Sequence, residues 1–282
     1  MNCERRKMSS DRTLPIKSKL SYIYPLSLFI ALLTTLVSIA GLLYRDIFYP
    51  TDVLVQSFVP NDVVNLFIGL PILLGSIWAS KRGKLLGLLF WTGALFFGFY
   101  NSIAYVFALP FSWGFLLHLI LVVMDVYTLI ALVAKIDGKE IQQQFLGAVH
   151  EKLSGGIIAG FGILFLLRVI FVLASALLVG DTMPKTELAP NIADSFIGPA
   201  LVVVGIALWK RKIIGYVAGL GLLFQTSMLF IGLIVFMLLQ PILTSAPFAF
   251  TDVIVVFVMG LVCFVPFALF IRGVNSRSNS VT

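Results

Sequence analysis

Eight apolar stretches, each near the ~20 residues that cross a bilayer, run through this chain at about 21–44, 63–80, 85–108, 113–134, 156–179, 193–209, 213–239 and 251–271. In hydrocarbon every backbone N–H and C=O must be satisfied within its own segment, so stretches of this length must be helices. Composition agrees. Hydrophobic residues make up 60% of the 282 and charged residues only 12%, against about half and a quarter in soluble domains. The predicted fold class is an all-α integral membrane protein with eight transmembrane helices. The spans at 63–80 and 193–209 are short, which predicts a steep crossing or ends that continue into the interface.

The spanning pattern is written twice. Val59-Pro60-Asn61-Asp62, then Asn65-Leu66-Phe67-Ile68-Gly69, leads into an apolar run closed by Lys81-Arg82-Gly83-Lys84. Further on, Ala189-Pro190-Asn191, then Asp194-Ser195-Phe196-Ile197-Gly198, leads into a run closed by Lys210-Arg211-Lys212. Two tandem four-helix repeats follow from this. Each holds an even number of crossings, so they are parallel and related by an axis along the membrane normal. The expected organisation is a basic cytoplasmic tail (1–20), a first membrane repeat (21–136), a cytoplasmic linker (137–155), a second membrane repeat (156–273) and a cytoplasmic tail (274–282).

Charge orients the bundle. The amino-terminal tail carries Arg5, Arg6, Lys7, Arg12, Lys17 and Lys19, and the loops on the same side carry Lys81, Arg82, Lys84, Lys135, Lys139, Lys152, Lys210, Arg211 and Lys212, followed by Arg272 and Arg277. The other side has Arg45 and Lys185 against Asp46, Asp52, Asp62, Asp181, Glu187, Asp194 and Asp252. This positive-inside pattern predicts a multi-pass cell-membrane protein with both termini in the cytoplasm. The net charge of +7 is then an attraction to anionic headgroups of the lipid bilayer, and no nucleic-acid partner is implied. Ser38-Ile39-Ala40 closes the first span in a manner a signal peptidase accepts. Because the span at 156–179 holds the equivalent place in the second copy, 21–44 reads as a retained helix. Cys3 and Cys263 fall in the tail and the last span, which offers no disulfide framework.

Ionisable groups in hydrocarbon cost at least ~2.5 kcal/mol each and carry the functional signal. Asp125 in the fourth span and Arg168 in the fifth both fall about 15–18 Å deep, close to the midplane. Their expected arrangement is a pair at the seam between the two halves. Such a pair either locks two helices, with little net stabilisation, or supplies a proton-coupling carboxylate or a substrate counter-ion. A second polar layer lies nearer the outside, where Tyr100 and Asn101 of the third span come level with His118 of the fourth. His118 and Asp125 are seven residues apart and share a helix face, so Asn101, His118 and Asp125 draw a polar track from the outer surface to the midplane. Gln225 lies at the depth of Asp125, as interhelical glue or as a cavity lining.

Asp62 and Asn65, and Asp194 with Ser195, head the short second and sixth spans. Helix capping explains them, since Asn and Asp satisfy the first N–H groups of a helix; a pair of outward-facing mouths is the alternative. Glycines at 155, 156, 160 and 162, and at 215, 219 and 221, put small residues on packing faces.

Several chemistries have no visible machinery. There is no Gly-rich Lys-Ser/Thr loop for nucleotide phosphates. With two histidines, one of them (His150) in the linker, neither a bis-His haem nor a multi-His metal site is expected. Neither an aspartyl dyad nor a Ser/His pair at common depth is apparent. The expectation is therefore no catalytic residues, no metal and no cofactor, which leans against an enzyme, while protein partners stay open.

At Pro60-Asn61-Asp62, Gly69-Leu70-Pro71, Lys81-Arg82-Gly83 and Tyr100-Asn101 the chain resembles a loose group of uncharacterised prokaryotic multi-pass membrane proteins. The resemblance covers mainly the first half and implies a bacterial or archaeal cell membrane, with no activity to carry over. The second half departs from it at Leu229-Phe230. Three functional readings stand. The first is a small-solute or ion permease, proton-coupled through Asp125, with Arg168, His118, Asn101 and Gln225 as binding residues and Asp62, Asn65 and Asp194 at the outer mouth. The second is a non-catalytic scaffold or accessory subunit of a membrane complex. The third is a lipid-modifying enzyme, which would cluster polar residues at one surface.

Overall fold

The computed structural model describes residues 14–180 and 183–280, apart from the side chains of 276–280. Cys3, Arg5, Arg6, Lys7, Arg12, Asp181 and the side chain of Arg277 lie outside the described residues. Within them, eight helices are long and apolar enough to cross a membrane. They are α1 (Ile23–Leu43), α3 (Asp52–Val64) continuing through a π-helical turn (Asn65–Gly69) into α4 (Leu70–Lys81), α5 (Leu85–Ala108), α6 (Trp113–Lys135), α8 (Glu151–Val179), α9 (Lys185–Trp209), α10 (Ile213–Leu243) and α11 (Phe250–Ser280). Two short helices, α2 (Arg45–Phe48) and α7 (Gly138–Phe145), lie between spans. This is the architecture of a polytopic membrane protein.

The second and sixth spans are not short, contrary to the sequence reading. They start at Asp52 and Lys185, and Pro60 and Pro190 lie inside them. A proline inside a helix withholds an N–H from the carbonyl four residues back, and membrane helices tolerate this where a neighbour satisfies the freed group. At Pro60 the freed carbonyl belongs to Gln56, and Gln240 of α10 donates its Nε2 to it at 3.2 Å. The π turn inserts one residue into the same span, directly after the proline segment.

Packing follows two rings. In the first, α1 packs on α3–α4, α3–α4 on α5, α5 on α6, and α6 back on α1; in the second, α8 packs on α9, α9 on α10, α10 on α11, and α11 on α8. The rings meet where α5 lies against α9 and α10, and α10 against α3. Of the membrane window of α5, 61% is buried, against 22% for α8 and for α11, so α5 is central and those two face lipid. Small residues permit the closest approaches. A Cβ on Gly155 of α8 would stand 2.6 Å from the Gly205 carbonyl oxygen of α9, and one on Gly93 of α5 would run into the carbonyl of Gly221 on α10. The seam is thus built by the third and seventh spans. The fourth and fifth, α6 and α8, belong to different rings, and the expected seam between them is corrected accordingly.

Side chains and short backbone bonds knit each face. On the basic face Lys135 donates to Ser18 at 2.7 Å, Gln142 to the Arg211 carbonyl at 2.7 Å, and Arg211 pairs with Glu151 at 3.8 Å. On the opposite face Arg45 donates to the Leu243 carbonyl at 3.3 Å and Gln56 to Ser245 at 3.1 Å.

Candidate functional site

The buried face of α6 reads Gly114, His118, Leu121, Asp125 and Thr128, a three-and-four spacing that keeps all five on one side of the helix. Asp125 falls in the middle of α6 and is 1% exposed, yet neither of its carboxyl oxygens has a hydrogen-bond partner. Buried polar groups are almost always paired, and an unpaired one costs its desolvation. Room beside the carboxyl comes from Gly98 of α5, where an added Cβ would stand 3.2 Å from Oδ2 and 3.3 Å from Oδ1.

Gly98 also lines a cavity of about 20 Å³, shared with Thr34, Ser38, Asn65, Asn101 and His118. A water needs about 10–15 Å³ of such space and two to four polar partners, so the cavity fits one water among hydroxyl, amide and imidazole groups. Asn101 and His118 line it together without a direct hydrogen bond. Asn101 donates Nδ2 to its own helix at Phe97 O, 3.0 Å, which leaves its Oδ1 as an acceptor. His118 Nδ1 lies 2.8 Å from the Gly114 carbonyl. A carbonyl only accepts, so Nδ1 carries the proton and Nε2 is left as the acceptor.

Above the cavity stands a group that sequence reasoning did not assemble. Asp62 is fully buried and accepts from the Tyr49 hydroxyl at 2.6 Å and the Tyr105 hydroxyl at 2.8 Å. Asn65 Nδ2 lies 3.4 Å from the Tyr105 hydroxyl, and the Tyr105 ring stacks on His118 with centroids 4.0 Å apart and 8° between planes. Burial, with the Asp62 carboxyl beside it, holds the Tyr49 phenol well above its usual range, so it stays a donor. Asp62 and Asn65 therefore do not cap a helix: they sit inside a continuous span and bond across it. The signal that was available is chemical, since a tyrosine buried in a membrane needs a partner for its hydroxyl.

Arg168 is not paired with Asp125. Its Nη2 lies 3.0 Å from Asp194 Oδ2, and Asp194 Oδ1 accepts from Tyr100 at 3.0 Å. The reason is adjacency: α8 packs along α9, which carries Asp194, while α6 packs on α5 and α1. Asp194, like Asp62, is inside its helix and caps nothing. The link joins α5 of one ring to α8 and α9 of the other, with the Asp194 side chain buried and that of Arg168 half exposed. Gln225 is fully buried on α10 and does not line this cavity; its Nε2 has no partner, and its Oε1 lies 3.4 Å from the Thr226 hydroxyl.

Two groups result. One runs through the first ring, from Asp62 with its two phenols, past Asn65 and the His118 cavity, to Asp125. The other is the Tyr100–Asp194–Arg168 link between rings. Among the described residues no group of three His, Cys, Asp or Glu side chains is placed to hold a metal ion. No protein family, no curated protein and no solved structure matches the chain.

Proposed function

We propose that the protein is a small-solute or ion permease, proton-coupled, working through the first ring. It would lie in the cell membrane with the basic face and both termini toward the cytoplasm, as the charge distribution predicts. The observation that carries the reading is Asp125, a buried carboxyl at mid-depth with two unpartnered oxygens beside a polar cavity of water size. A carboxyl left without donors in a dry helix packing costs stability for no structural return. The same group is ready to exchange a proton or hold a cation once water reaches it. Asp62 and its phenols would form the outer station, His118 and Asn101 the passage.

The two-ring packing supports descent from a duplicated four-helix unit. The exchange of α1, α3–α4, α5 and α6 for α8, α9, α10 and α11 maps each adjacent pair of one ring onto an adjacent pair of the other, and α5 against α10 onto itself. Gly83 and Arg211, the left-handed residues of the equivalent turns, recur at the same separation as Gly87 and Gly215, and as Gly93 and Gly221. In that register Lys84 stands where Lys212 stands, one residue out of step with the likeness of Lys81-Arg82 to Lys210-Arg211. In that register Leu229, Ala246 and Val253 hold the positions of Asn101, His118 and Asp125, so the proposed path is single and off-axis.

A scaffold is the second reading, favoured by the Tyr100–Asp194–Arg168 link, in which both Asp194 oxygens are engaged and which ties the rings together. The test separates the two. Protein reconstituted into vesicles loaded with a pH-sensitive dye is challenged with gradients of monovalent cations and small organic solutes. Wild type should move protons with one of them and Asp125→Asn should not, while its melting temperature stays at or above that of wild type. Proton movement that survives Asp125→Asn, or its absence in wild type across the panel, gives the scaffold reading the lead.

A further inference from the structure

A second cavity, of about 340 Å³, lies apart from the polar track, as an open groove between α4, α5 and α10. It is lined by Pro71, Gly75 and Ala79 of α4, Phe90 of α5 and Phe224 of α10, together with Lys84, which heads α5 on the basic side. Pro71 and Gly75 are exposed, so the groove opens to the lipid-facing side. From Pro71 to Lys81, α4 rises about 15 Å, which is half of a hydrocarbon core about 30 Å thick. The groove is therefore one leaflet deep, on the basic side. Lys84 is exposed and forms no ion pair with any described residue, unlike Arg82, which lies over the Trp78 ring at 3.8 Å, and Lys81, which lies over Tyr24 at 5.0 Å.

We propose that this groove is a specific site for an anionic phospholipid of the basic-side leaflet, with an acyl chain along Pro71, Gly75 and Phe90 and the phosphate at Lys84. The volume is within the range of small-ligand sites. The apolar walls match an acyl chain, and Lys84, which makes no ion pair with any described residue, stands at headgroup level. Small residues keep the slot open: an added Cβ on Gly75 would meet nothing within 4 Å. Anionic lipid is the chemistry that juxtamembrane lysines recognise. The site is independent of the permease reading, because none of these residues belongs to the polar track.

The experiment uses the full chain in detergent, titrated with phosphatidylglycerol or phosphatidylcholine, with retained lipid counted by native mass spectrometry. Wild type should hold phosphatidylglycerol about fivefold more tightly than phosphatidylcholine, the factor that one basic residue supplies at an anionic surface. Lys84→Gln should remove that preference. Gly75→Leu, whose added Cβ meets nothing within 4 Å and whose branched end adds bulk beside the groove, should release both lipids with the melting temperature unchanged. Retention by Gly75→Leu equal to wild type would make the lipid annular and overturn the site, as would a wild type blind to headgroup. A wild-type dimer that holds no lipid and dissociates in Gly75→Leu would assign the groove to a second copy instead.

Discussion

Asp62 is held by two phenols from different parts of the chain, Tyr49 from the loop before the second span and Tyr105 from α5. Hydrogen bonds to charged groups in soluble proteins are worth about 1.5–3 kcal/mol, while those between membrane helices average about 0.6 kcal/mol and rarely exceed 1.7. Full burial of the carboxyl places this pair toward the upper end of the membrane range. Tyr49→Phe and Tyr105→Phe are each expected to cost about 1–2 kcal/mol, measured by thermal or denaturant unfolding in detergent. The double variant should lose more than the sum, because either phenol alone still engages the carboxyl; strict additivity would show that the two act independently. Of the four side chains bonded here, Asp62, Tyr49, Tyr105 and Asn65, only Asp62 and Asn65 stand out in the sequence, where both fit either a helix cap or an outward-facing mouth. A lone buried aspartate announces a cost, whereas the identity of its donors depends on how helices far apart in the chain come to touch. The same limit explains Arg168: depth alone selected Asp125 as its partner, and helix adjacency selects Asp194.

The eight apolar elements were legible because lipid removes the alternatives to a helix. The extents of the second and sixth spans were not, since Pro60 and Pro190 look like helix starts. What lets the helix run through Pro60 is the side chain of Gln240, on a different span, filling the bond that proline leaves open. No local pattern encodes that. Gln240→Leu should therefore cost about 1 kcal/mol, the price of one orphaned carbonyl partly reachable by water. In a Pro60→Ala background, where the backbone N–H is restored, the same substitution should cost close to nothing. Equal losses in the two backgrounds, read from melting curves, would show that Gln240 acts through some other contact.

For the molecule as a whole, the two rings are joined by glycine contact at the α5–α10 seam and by the Tyr100–Asp194–Arg168 link. Removing one partner of a buried pair leaves the other charge uncompensated, at about 3–5 kcal/mol. Arg168 is half exposed, which argues for the lower figure. Arg168→Met is expected to lower stability by about 3 kcal/mol, and adding Asp194→Asn should recover part of that loss. If the second substitution deepens the loss instead, the guanidinium is not what stabilises Asp194. The confinement of the Asp62–His118–Asp125 groups to one ring has a consequence for stoichiometry. With Asp125 the single buried carboxyl left unpartnered among the described residues, a transport cycle run through it has one charge to give per turnover. Saturation by the coupling ion is then hyperbolic within a chain, and any sigmoid response has to come from contacts between chains.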